Sequence, residues 1–161
     1  MKKIQLFIMA TIIGSLLLAG CSNNASGPVE PKLTANEMVE EMLAKVEQPQ
    51  LLEVPAEQVM DVYNIDPATL EDFAIRIPMM NIKTNEIAIF KVKNAEDVSK
   101  VEAAVKQRAE MVQKQFEQYL PDQYEQAKNY KLVTKGNYVL FVISDSADKL
   151  VTAYDTFFTQ Q

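Results

Sequence analysis

The chain has 161 residues, 48% of them hydrophobic and only four of them glycine, with 16 basic side chains against 22 acidic ones. That length holds one domain plus a leader, and the composition excludes a disordered tail. The net charge of −6 disfavours nucleic acid and anionic bilayer surfaces as partners, and the absence of histidine removes Ser-His-Asp and Cys-His catalysis and every His-based metal site.

Lys2 and Lys3 precede an apolar run over residues 4–19, the charged and apolar regions of a secretory signal. The run is short of the roughly 20 apolar residues a permanent membrane span needs. It ends in Leu18-Ala19-Gly20-Cys21, which resembles the lipobox of bacterial lipoproteins. The resemblance implies diacylglycerol on the Cys21 thiol, cleavage after Gly20 and acylation of the new amine. Cys21 is the only cysteine, so no intramolecular disulfide can form. The expected layout is a signal peptide over 1–20, a Ser/Asn/Pro-containing tether over 21–32 and a single domain over 33–161.

Thr34 and Glu37 form a capping-box pattern. Met38, Val39, Met42, Leu43 and Val46 mark the buried face of a first helix, and Pro49 breaks it. A second helix starts near Pro55 and carries Val59, Met60 and Tyr63. Asp66-Pro67 is a cap plus first-turn proline that leads Leu70 into a strand. Phe73, Ile75, Ile77 and Met79 alternate on one strand face, and Pro78 puts the strand at an edge or at its end. Residues 81–85 read as a turn. Residues 86–92 are apolar on both faces, as in a strand covered on two sides.

Asn94 offers a helix cap with Asp97 in the capping-box position. Val98, Val101, Val105, Ala109, Val112, Phe116 and Tyr119 recur at helical steps, which predicts a long helix ended by Pro121. A short helix over 122–127, a strand over 130–134, a Lys135-Gly136-Asn137 turn and a second doubly apolar strand over 138–143 follow. Asp145 is expected to cap a last helix with Leu150, Val151, Tyr154, Phe157 and Phe158 on its inner face. The fold class is α+β: two strand-strand-helix units forming a four-stranded, mostly antiparallel sheet, with two N-terminal helices over an end or the second face.

No phosphate loop, Walker pattern or EF-hand loop occurs, and no metal site or cofactor is expected. Arg108 is the informative charge. It lies three residues after Val105 and four before Val112, which puts its Cα near the apolar stripe. A guanidinium there must snorkel out, pair with a carboxylate, for which Glu86 on the neighbouring strand is the candidate, or anchor an anionic ligand. Glu40-Glu41 and Glu71-Asp72 are expected to be solvated, and Asp145 to Asp148 to serve a helix cap rather than a cation. Tyr119, Tyr124 and Tyr130 around the Pro121 break are assigned to core or boundary packing. The eight methionines are assigned to irregular core filling rather than an adaptable binding surface.

The leader motif, Tyr63-Asn64-Ile65-Asp66, Met79-Met80-Asn81, the run from Asn85 to Lys91, Arg108, Tyr119-Leu120-Pro121 and Gly136-Asn137-Tyr138-Val139 resemble an uncharacterised family of small lipoproteins from Gram-positive bacteria, a domain of unknown function. The resemblance covers most of 33–161 and implies the extent of the domain and a place in the cell envelope, with no activity to transfer. The expected role is a non-enzymatic, lipid-anchored protein on the extracytoplasmic face of the cell membrane. It is held there through Cys21 and binds an envelope protein or a peptide. The alternative is a carrier of a small anionic ligand using Arg108.

Overall fold

The computed structural model describes residues 30–159. The expected signal peptide, Cys21 and most of the expected tether lie outside them. Ten elements follow in chain order: α1 (Ala35–Lys45), β1 (Leu51–Glu53), α2 (Val59–Tyr63), β2 (Leu70–Pro78), β3 (Glu86–Val92), α3 (Val98–Phe116), α4 (Pro121–Lys128), β4 (Lys131–Lys135), β5 (Tyr138–Ile143) and α5 (Ala147–Asp155). The strands form one open sheet in the order β1-β2-β3-β5-β4, with every neighbouring pair antiparallel.

The sheet therefore has five strands, not the expected four. The extra one, β1, pairs Leu51, Leu52 and Glu53 with Pro78, Ile77 and Arg76. Three residues are too few for an alternating pattern to stand out from a loop. β2 ends at Pro78, as its missing N–H requires. It runs one place in from the edge, because β1 covers its outer side over that last stretch.

β3 and β5 lie in the middle and have core on both faces. Ala88, Phe90 and Val92, with Val139, Phe141 and Ile143, face the α3 layer, where α2 and α4 also pack. Ile87 and Ile89, with Tyr138, Leu140 and Val142, face α1 and α5. This three-layer arrangement explains why both strands read as unbroken apolar runs. On α3, Val101, Val105, Ala109, Val112 and Phe116 are all buried, and burying each large one contributes roughly 1.5–3 kcal/mol of transfer free energy.

The two strand-strand-helix units are present as β2-β3-α3 and β4-β5-α5, and β3 pairs β5. They are not copies related by a rotation. The two-fold axis that exchanges antiparallel neighbours stands normal to the sheet and keeps each face, so it would put both helices on one side. Here α3 and α5 lie on opposite sides.

The caps are partly as expected. Thr34 and Glu37 close a reciprocal capping box on α1, and Asp66 Oδ1 accepts from the Ala68 N–H at 2.9 Å. Asn94 does not cap α3, because a 3-10 turn (Ala95–Asp97) precedes the helix and its side chain reaches only Asp97. Asp145 does not cap α5: the cap position is Ser146, whose N–H donates to Ser144 Oγ at 3.0 Å.

Candidate functional site

The entry to β3 is polar yet buried: Thr84, Asn85 and Glu86 are 1%, 5% and 1% exposed. Polar groups there need partners, and each finds them on different elements. The Thr84 N–H donates to Gln123 Oε1 of α4 at 3.0 Å. Asn85 Nδ2 donates to Gln48 Oε1 at 3.0 Å, and its Oδ1 accepts from Gln126 Nε2 at 3.1 Å. Ser144 Oγ donates to the same Gln48 oxygen at 2.9 Å. The run thus ties α4, the α1–β1 loop and the end of β5 to the central strand.

Glu86 shares its strand face with Ala88 and Phe90, so it points toward α3. Arg108 meets it in a two-pronged pair, Nε to Oε1 at 3.0 Å and Nη2 to Oε2 at 2.9 Å. Tyr63, at the end of α2, donates its hydroxyl to Glu86 Oε1 at 2.5 Å. Asn64 turns the chain away behind it with φ 54°, a left-handed conformation that asparagine tolerates. The Arg108 guanidinium also lies 5.8 Å from the Tyr63 ring centroid. Burial first, and then the Glu86 carboxylate, push the Tyr63 phenol well above its ordinary value. Burial opposes the Arg108 charge, but Glu86 outweighs it and holds the guanidinium above its ordinary value.

Arg108 is thus paired with Glu86, the partner read from the sequence. A guanidinium answered by a carboxylate is not waiting for an anion, and this weighs against Arg108 as a ligand anchor. Tyr63 was legible only as an apolar face residue. The signal for its polar role is that a fully buried tyrosine hydroxyl needs an acceptor.

A cavity of about 240 Å³ opens beside the pair. Ile77, Val112 and Phe116 supply apolar walls, and Lys83, Arg108 and Gln115 supply polar ones. Large apolar side chains stand exposed around this region. Met79, Met80 and Ile82 on the β2–β3 turn are 49%, 56% and 42% exposed. Met111 is 50% exposed and Tyr119 59%. Arg108, Met111, Val112 and Gln115 are spaced three, four and seven apart, so they share one face of α3. The Tyr119 ring lies 6.4 Å from that of Phe116, which lines the cavity. The assignment of methionine to the core is corrected here. Met38 and Met42 are fully buried, but Met60, Met79, Met80 and Met111 are exposed. Tyr124 and Tyr130 pack against the core, as expected, and Tyr119 does not.

A second buried arginine was not foreseen. Arg76, 6% exposed, reaches across from β2 to α1, where Nη2 donates to Asn36 Oδ1 at 2.5 Å and Glu40 Oε1 at 2.9 Å. Glu40 is exposed, as expected, and is also an ion-pair partner. Asp72 is likewise engaged: its Oδ2 accepts from the Ala35 N–H at 2.7 Å. Among the described residues, no cluster of acidic or cysteine side chains has metal-holding geometry, and no helix is long and apolar enough to cross a membrane.

The model of a family described as a domain of unknown function, DUF4358, matches residues 44–144. The chain belongs to the DUF4358 family. Tyr63, Glu86 and Arg108 all fall within the DUF4358 segment, as do the β2–β3 turn and the exposed part of α3. Most of α1 and all of α5 lie outside it, although both cover one whole face of the sheet. No curated protein and no solved structure gives a significant match to this DUF4358 chain.

Proposed function

We propose that this DUF4358 protein is a lipid-anchored, extracytoplasmic, non-enzymatic module that binds another protein or a peptide. The anchor reading rests on the Lys2-Lys3 leader and on Leu18-Ala19-Gly20-Cys21, which resembles the lipobox of bacterial lipoproteins. The binding reading rests on one observation: Met79 stands exposed at the wall of one small cavity, and the exposed Met80, Ile82, Met111 and Tyr119 belong to the turn and helix segments that supply its other walls. An apolar patch of this kind marks an interaction surface, and methionine adapts its shape to a partner. The cavity, at about 240 Å³, lies below the roughly 300–1,000 Å³ typical of small-molecule pockets and suits single side chains of a partner.

Replacing Met80 and Met111 together by Asp tests the binding reading. Capture of a partner by chemical crosslinking in the native envelope should fall sharply, with the unfolding temperature unchanged. Equal capture by both forms would discard it. Replacing Cys21 by Ala tests the anchor, since the variant should leave the membrane fraction and stay soluble. The carrier alternative predicts instead that a small carboxylate or phosphate shifts the unfolding temperature of the wild type and not of Arg108→Lys.

A further inference from the structure

The described chain begins against one end of the sheet. Glu30 pairs with Lys91 at 2.6 Å, and Lys91 also holds Glu71 at 2.7 Å. The Ala35 N–H is bonded to Asp72, which is the register partner of Lys91. The N-terminal segment therefore enters the fold at the Lys91 end of β3. Glu86 opens the same strand at its other end, ~17 Å away at about 3.3 Å per residue. The β2–β3 turn, the cavity and the exposed methionines belong to that far end. From Cys21 to Glu30 the chain can span at most about 30 Å.

The charges that line the cavity are also unevenly answered. Three charged residues line the cavity: Lys83, Arg108 and Glu86. Glu86 is consumed by Arg108 and Tyr63. Lys83 makes no ion pair among the described residues. It also lines a neighbouring cleft with Glu47 and Asp145 and pairs with neither, so its ammonium is an unanswered cation at the edge of the apolar patch.

We infer that the partner is an extracytoplasmic protein that meets the domain at the pole opposite the entry of the N-terminal segment, with an apolar side chain in the cavity and a carboxylate beside Lys83. This rests on the anchored, protein-binding reading above. A lipid surface fits poorly, because the net charge of −6 disfavours an anionic bilayer. Met79 and Lys83 both line the cavity, so one short partner segment can meet both.

The test uses the full lipidated chain in its native envelope, with a photoreactive amino acid placed at Met80, at Met111 or, as a tether-pole control, at Glu96. Met80 and Met111 should capture the same protein and Glu96 should not. The crosslinked partner peptide should carry an Asp, a Glu or a terminal carboxylate next to an apolar residue. Lys83→Glu should lower the yield at least about tenfold, since like charges then face each other. Its unfolding temperature should not change, because Lys83 lies in a turn. Capture of phospholipid, of residues 1–29 of the same chain or of a second copy overturns the inference, as does an unaltered yield with Lys83→Glu. Capture of a protein from Glu96 alone overturns this surface while leaving the binding reading standing. No protein captured from any position overturns both.

Discussion

Arg108 Nη2 and Glu86 Oε2 lie 2.9 Å apart across the α3–β3 interface, and Glu86 is only 1% exposed. Removing one partner strands the other charge. Arg108→Ala should lower unfolding free energy by about 3–5 kcal/mol, because the Glu86 carboxylate is left buried and uncompensated. A Tyr63→Phe, Glu86→Leu, Arg108→Met triple variant should recover most of that loss, since well-packed apolar residues often replace a buried pair at little cost and the Tyr63 hydroxyl would otherwise lose its acceptor. Urea unfolding of the wild type and the two variants checks this. A triple variant no better than Arg108→Ala would mean that packing, not the stranded charge, dominates.

Tyr154 is fully buried, and its hydroxyl has no hydrogen-bond partner among the described residues. Tyr154→Phe removes an unsatisfied polar atom and keeps the ring against Phe158, 4.9 Å away between centroids. The variant should gain about 1 kcal/mol, or about 3 °C in Tm. Differential scanning calorimetry decides it. A loss of stability would mean that the hydroxyl is satisfied after all.

Burial raises the phenols of Tyr63 and Tyr154 above their ordinary value of 10.0, with Glu86 adding to the shift at Tyr63. The sign follows from which state can ionise. Below pH about 10 both states keep the proton and the stability is fully present. Above it, the unfolded chain loses the proton before the folded one does, so stability falls as pH rises. Lys91, raised chiefly by Glu30 and then Glu71, acts in the same direction. Denaturant unfolding should show stability falling progressively above about pH 10. Tyr63→Phe should flatten the profile. In an ultraviolet titration of the folded protein, Tyr63 and Tyr154 should stay silent until it unfolds.

Lys91→Ala should free the segment that enters the fold, because Glu30 and Glu71 then lose their shared cation. The exposed glutamates make this a small contribution to global stability. Its effect belongs to local opening, so trypsin should cut after the exposed Lys32 several-fold faster while the Tm hardly moves. An unchanged cleavage rate would show that the Ala35–Asp72 bond alone holds the segment.

The sequence carries the long helix, both doubly apolar strands and the Glu86–Arg108 pair openly. In each case a periodic pattern, or a charge at odds with it, is local to the segment. What it hides depends on distant neighbours. Arg76 reads as an outward residue of an alternating strand until α1 lies over β2 and brings Glu40 to it. β1 consists of three residues and takes its identity from β2. The exposed methionines carry the same apolar label as Met38 and Met42, because hydrophobicity measures preference for burial and not the space left for it. The opposite placement of α3 and α5 is likewise invisible in two segments that both read strand, turn, strand, helix.

The position of β5 bears on how the chain is made. It is the last strand in sequence, yet it fills the slot between β3 and β4. A nascent chain that has not yet delivered Ile143 therefore presents β3 with one bare side, and the sheet can zip shut only once β5 has been made. Any premature stop ahead of that residue would leave a sticky ribbon in place of a sheet centre, prone to pair with its own kind.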